Sequence, residues 1–149
     1  NILVNLEYEK GKSFLEQAEK IVELGYWDMV ANRLYYAVFH AVTALLINDG
    51  HKVGTHKGVV LLFGQHYIKT GIFSTTEGKL YSQLQNKKKK ADYVCTFQTS
   101  KEEIVPMLVP ARQMIEKIGT ILSLRSLPQA RQARSGDGAC QGWLPGESA

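Results

Sequence analysis

Apolar residues recur at three- and four-residue steps at the start of the chain. Leu3, Leu6, Phe14, Leu15, Ala18, Ile21, Val22 and Leu24 make the series, with Glu and Lys between them. That period predicts an amphipathic first helix from Leu3 to Leu24, and Gly25 is placed to end it. A second helix opens at Tyr26-Trp27-Asp28, with Asp28 near the positive end of its dipole. It holds the longest apolar run, Tyr26 to Ile47, and stops at Asn48-Asp49-Gly50. So short a connection makes the two helices antiparallel neighbours. Thr55 is the expected N-cap of a third helix, Lys57 to Ile68, that buries Val59, Leu62, Phe63 and Tyr67 and closes at Lys69-Thr70-Gly71. Ser74-x-x-Glu77 reads as a capping box for a fourth, with Leu80, Tyr81 and Leu84 inward and Lys87 to Lys90 at its end. Ala91 to Gln98 reads as a connection. Ser100-x-x-Glu103 starts another helix, which Pro106 and Pro110 should kink or restart before a regular stretch from Ala111 to Leu122. With neither strand pattern nor repeat, the class is all-α: an up-and-down bundle of four to five helices.

From Ser126 onward the composition turns to Gly, Ala, Gln, Arg, Ser and Pro, with only Leu127, Trp143 and Leu144 as large apolar residues. Such a stretch buries too little surface to offset its ordering entropy. We therefore divide the chain into a helical domain, 1–125, and a disordered tail, 126–149, foreign to the domain. The 149 residues suffice for one hydrophobic core. A formal net charge of +4 and a pI near 9.0 are compatible with a polyanionic partner. Cys95 and Cys140 show neither metal spacing nor a disulfide framework. Without a signal-peptide pattern, and with Arg33 and His40 interrupting an apolar run judged too short to span a bilayer, the expected compartment is the cytoplasm. The chain opens on Asn rather than Met, so further residues are expected before it.

Chemistry enters inside the second helix, in Asn32-Arg33-Leu34-Tyr35-Tyr36-Ala37-Val38-Phe39-His40-Ala41. Arg33 and His40 are two turns apart less about 20°, on nearly one face and separated by roughly 10 Å along the axis. Tyr36 lies between them, and Ala37, Ala41 and Ala44 flank the stripe, where another helix or a ligand can approach closely. A core histidine bonded to a carbonyl and an arginine reaching solvent would satisfy the same spacing. No Gly-rich phosphate loop, paired carboxylates or Cys/His cluster competes with this pair, and no metal or cofactor is expected. RNA cleavage by internal transfer suits the pair. An imidazole moves protons near neutral pH, and a guanidinium meets phosphate oxygens bidentately while keeping its charge.

Arg-Leu-Tyr-Tyr-Ala-Val-Phe-His-Ala resembles the signature helix of the HEPN domain family, marked by an Arg and a His four to six residues apart; here six intervene. The resemblance continues through Thr55-His56-Lys57-Gly58, Lys69-Thr70-Gly71 and Ala91-Asp92-Tyr93, in the order found in small bacterial and archaeal HEPN proteins, and covers about Leu3 to Leu122. It implies a toxin-like, metal-independent ribonuclease in which the Arg–His pairs of two subunits meet across a homodimer interface on the second-helix face. A 2′,3′-cyclic phosphate product and a minimal nucleotidyltransferase antitoxin as partner protein are also implied. Carried over, His40 is the acid/base and Arg33 the phosphate clamp. Tyr36 orients the histidine, contacts RNA or packs in the core. Asn32 is a polar contact beside the arginine or an exposed helix residue.

Lys88 stands where the family often has Arg before its Ala/Gly-Asp-Tyr motif. It either tracks RNA phosphate or sits in a solvated helix end, without the planar fork of Arg. Asp92 is expected to brace a cation of the second helix, and Thr55 and His56 to cap and dock the third. The tyrosine that some HEPN toxins carry two residues after the histidine, as the target of the partner's modification, is Val42 here, so that route of inactivation is not supported. The alternative function is a non-catalytic HEPN module that binds nucleotide or RNA and supports a partner nucleotidyltransferase.

Overall fold

The first helix, α1 (Ile2–Ile21), lies along the second, α2 (Trp27–Asn48), in a computed structural model that describes residues 1–126. There follow α3 (His56–Phe63), α4 (Thr75–Tyr93) and α5 (Lys101–Ser126), with no strand among the described residues. The all-α expectation holds for these. Ser126 ends α5, and the rest of the expected disordered tail lies outside the described residues.

Local chemistry sets most helix ends. The Asn1 side chain accepts from the Leu3 amide at 2.8 Å, and α1 ends in a 3₁₀ turn at Val22–Leu24 before Gly25, whose φ of 73° suits a residue without Cβ. Thr55 caps α3 by accepting from the Gly58 amide at 2.9 Å. The third helix differs from expectation in winding: it widens into a π-helical segment at Gly64–Ile68. Ser74 and Glu77 form the capping box of α4, with both reciprocal bonds present.

Two expectations are corrected. The fourth helix does not stop near Lys90 but runs through Tyr93, so Ala91, Asp92 and Tyr93 are helical. The Lys88–Asp92 ion pair, one turn apart, supports the added turn. Nor does α5 restart: it is one helix across Pro106 and Pro110. Both prolines, and Glu102 whose carbonyl Pro106 leaves unbonded, lie on the exposed side, where water satisfies the freed groups. Ser100 and Glu103 form the expected start, and Asp28 at the head of α2 accepts from the Thr99 amide at 2.6 Å, tying the two helix starts together.

The core is built around α2. Leu34, Tyr35, Val38, Leu45 and Leu46 are fully buried, packed by α1, α3, α4 and α5. By length and composition this 22-residue helix could cross a membrane, so its apolar run is longer than the sequence expectation held. Its burial among the other helices accounts for that apolarity instead.

The small residues of α2 serve the chain itself. A Cβ on Gly11 of α1 would lie 2.9 Å from the Ala37 carbonyl oxygen and 3.1 Å from the Ala41 amide. The two backbones therefore meet at Gly11, and Ala37, Ala41 and Ala44 are wholly buried. A second copy of the chain can reach only the margin of that face. On α5, a Cβ on Gly119 would collide with the Tyr8 ring, whose hydroxyl donates to the Ile115 carbonyl at 3.0 Å.

Candidate functional site

The antiparallel run of α1 over α2 places one polar or aromatic side chain of α1 against each chemical group of α2. Gln17 meets Arg33, whose Nε donates to Gln17 Oε1 at 2.8 Å. A second donor of the same guanidinium, Nη1, bonds Asn32 Oδ1 at 2.7 Å, so Asn32 acts as a neighbouring brace. Both acceptors are neutral amides. Among the described residues no carboxylate lies within ion-pair distance of Arg33, and its charge stays uncompensated.

Phe14 comes next along α1. The Arg33 guanidinium carbon sits 5.6 Å from its ring centre, and the His40 imidazole stacks on the same ring at 5.6 Å and 11°. The two residues thus flank one aromatic side chain, which holds them on a common edge. Glu7, a further two turns toward the start of α1, reaches His40: its Oε2 lies 3.1 Å from Nδ1. The carboxylate accepts from Nδ1–H and leaves Nε2 as the ring nitrogen for other partners. The His40 side chain retains 12% exposure, so it is partly covered rather than sealed.

Tyr36 joins this edge to a second group. Its ring is 6.2 Å from that of His40 and 5.9 Å from that of His56, the first residue of α3, and Lys88 of α4 holds its ammonium 5.7 Å from the Tyr36 ring centre. Lys88 also pairs with Asp92, chiefly through which its pKa is raised. The expected brace between Asp92 and a cation of the second helix is therefore replaced by a partner on the same helix. His56 stacks on Phe39 at 4.2 Å, and its Nδ1 is 2.6 Å from the hydroxyl of the fully buried Tyr35. Burial of the imidazole against these rings lowers its pKa, and the charges of Lys88 and His40 push the same way. Burial pushes the Tyr35 hydroxyl up, keeping it neutral.

Tyr36, His56, Lys57, Lys88, Asp92 and Tyr93 line a cleft of about 380 Å³ between α3 and α4. A larger one of about 610 Å³, bordered by Val60, Leu61, Phe63 and Ile68, holds none of these groups. No cluster of three or more His, Cys, Asp or Glu side chains able to hold a metal occurs among the described residues.

All five residues singled out in the sequence, Asn32, Arg33, Tyr36, His40 and Lys88, fall in one connected patch. Sequence reasoning missed Glu7, Phe14 and Gln17, which look like ordinary positions of an amphipathic helix, and read His56 only as a docking residue. Their seven- and three-residue steps along α1 are the one signal that could have aligned them with the Arg33–His40 spacing.

The HEPN domain sequence profile matches residues 4–121 of the chain. "Putative toxin MJ0142" of Methanocaldococcus jannaschii is 30% identical over 95 residues, 64% of this chain and 65% of that protein, so the chain spans just under two thirds of this relative's length. "Putative toxin MJ0605" of the same organism is 32% identical over 93 residues, 62% of this chain and 68% of that protein. A "UPF0332 protein" of Thermotoga maritima is 26% identical over 119 residues, 78% of this chain and 90% of that protein.

Proposed function

Because this chain belongs to the HEPN domain family and resembles members named as toxins, we propose that it is a metal-independent endoribonuclease acting as the toxin of a toxin–antitoxin pair. Its partner in this reading is a minimal nucleotidyltransferase, and its compartment is the cytoplasm. The observation that carries the reading is the joint placement of Arg33 and His40 against Phe14. It sets an uncompensated guanidinium and a partly exposed imidazole on one edge.

In the proposed reaction, Arg33 holds the scissile phosphate and follows its charge as it grows on the equatorial oxygens. His40 exchanges a proton through Nε2, with Glu7 fixing the ring by its bond to Nδ1. Asn32 and Gln17 keep the guanidinium from swinging away. Lys88 adds charge beside the path of the RNA backbone. A homodimer sets two such edges side by side, meeting at the margin left by α1.

Cleavage of a labelled RNA by purified protein in EDTA tests this. Wild type is expected to leave a 2′,3′-cyclic phosphate. His40→Ala should be slower by on the order of 10²-fold or more, the scale for losing a general acid or base. Arg33→Lys should also be poor, since an ammonium lacks the planar fork. A His40→Ala protein that cuts at the wild-type rate overturns the reading. Wild type that binds RNA without cutting it makes the chain a binding module.

A further inference from the structure

The proposed cleavage needs two proton transfers, one from the 2′-hydroxyl and one to the leaving 5′-oxygen, and His40 can make only one of them at a time. A second imidazole stands nearby in the same chain. His40 and His56 touch the same two rings: Tyr36 at 6.2 and 5.9 Å, and Phe39 at 5.1 and 4.2 Å. Their centres are therefore separated by at most the two Phe39 distances end to end, a span that one ribose-phosphate unit fills. His56 is exposed and lines the cleft with Lys88, whereas His40 lies at the α1 edge. Resting on the ribonuclease reading, we propose that His56 is the general base, and that His40 of the same chain is the general acid.

The bonding of His56 fits that role. With Nδ1–H donating to the Tyr35 oxygen at 2.6 Å, Nε2 carries the lone pair. Phe39, stacked on the ring face, fixes its plane. Capping does not require the imidazole, since Thr55 already accepts from the Gly58 amide. The groups facing His56 are Tyr35, Tyr36 and His40 from α2, Lys88 and Asp92 from α4, and Lys57 beside it. Burial and the two nearby cations depress its pKa, so it is unprotonated at neutral pH, as a base must be. Nε2 takes the 2′-hydroxyl proton, the 2′-oxygen bonds to phosphorus, the bond from phosphorus to the 5′-oxygen breaks, and that oxygen receives the proton of His40 Nε2. The products are a 2′,3′-cyclic phosphate and a 5′-hydroxyl. The two histidines end with exchanged protonation and reset through water. One chain thus supplies both groups, and the second copy is not needed for the proton count.

The test compares wild type, His40→Ala, His56→Ala and His56→Asn on an RNA and on the same RNA with a 5′-bridging sulfur at the cleavage site. Asn keeps a polar partner for Tyr35 but has no titrating nitrogen, so it guards against loss of folding. Both His56 variants should cut the oxygen substrate on the order of 10²-fold more slowly and lose the acidic limb of the kcat/KM pH profile. A thiolate leaves without a proton, so the sulfur substrate should restore His40→Ala and leave both His56 variants slow. Wild-type rate and both pH limbs in His56→Asn, with His40→Ala inactive, would overturn the role of His56 and leave the ribonuclease reading standing. Rescue of the His56 variants by the sulfur substrate would overturn the assignment of base. An inert wild type removes both proposals together.

Discussion

Two polar clusters are attached to α2, and both are built from Arg, His, Tyr and a carboxylate. At its C-terminal end, Asp49 receives hydrogen bonds from Arg125 of α5 and from the Tyr67 hydroxyl in the π-helical segment. The Arg125 and Asp49 side chains are only 6% and 10% exposed. Beside them the buried His51 ring stacks on His66 at 4.1 Å. Along its flank, by contrast, Arg33 meets only amide oxygens and His56 is exposed. In the first cluster opposite charges are buried face to face and spend their electrostatic capacity on the fold. In the second a cation is held in position without being neutralised, and remains available to a phosphate. Residue type does not separate a brace from a site; charge balance and exposure do.

Stability measurements can break this comparison. The largest effect is expected at Asp49→Ala, which removes the carboxylate facing both Arg125 and Tyr67. Loss of one member of a buried pair typically costs about 3–5 kcal/mol, read as a lowered urea midpoint at constant slope. A cost below about 1 kcal/mol would show that the cluster is not a brace.

Acid should act next, and unequally on the two clusters. Burial lowers the pKa of His51, the neighbouring His66 pushes the same way, and Asp49 opposes both. A histidine whose folded pKa lies below its unfolded value of about 6.5 contributes stability that is present above that value and is lost as pH falls through it. The melting temperature should therefore drop between pH 7.5 and 5.5. Replacing the buried His51 by Asn should flatten that drop more than His56→Asn does, because His56 is exposed. Equal slopes in both variants would contradict the contrast in burial.

The smallest effect is the sharpest test of the flank. Arg33→Gln should shift unfolding free energy by less than about 0.5 kcal/mol, as surface substitutions do, while impairing cleavage. A loss of several kcal/mol would move Arg33 from the site to the scaffold.

Hydrophobic period located α1 and α2 well because each presents one continuous apolar stripe, and the Ser74 and Ser100 capping boxes marked two more starts. Reading failed where a local rule met a neighbour. Pro106 and Pro110 imply a break, yet their freed carbonyls face solvent and the helix passes through. Ala91-Asp92-Tyr93 implies a connection, yet the Lys88–Asp92 pair carries α4 one turn further. Asp49 reads as a stop signal and Arg125 as a residue beyond the last regular turn. Their pairing spans 76 positions and has no local trace.

By itself the sequence determined the helical class, the order of the helices, the HEPN resemblance and the shared face of Arg33 and His40. These follow from periodicity and from residue types within a few turns. Only the tertiary structure decided what stands opposite that face. Gly11 lets α1 close on Ala37 and Ala41, and this sets Glu7 at His40, Phe14 between the two groups and Gln17 at Arg33. The packing of α3 and α4 then brings His56 and Lys88 to Tyr36. Contacts between separate helices depend on crossing position and register, which the period of one helix does not encode.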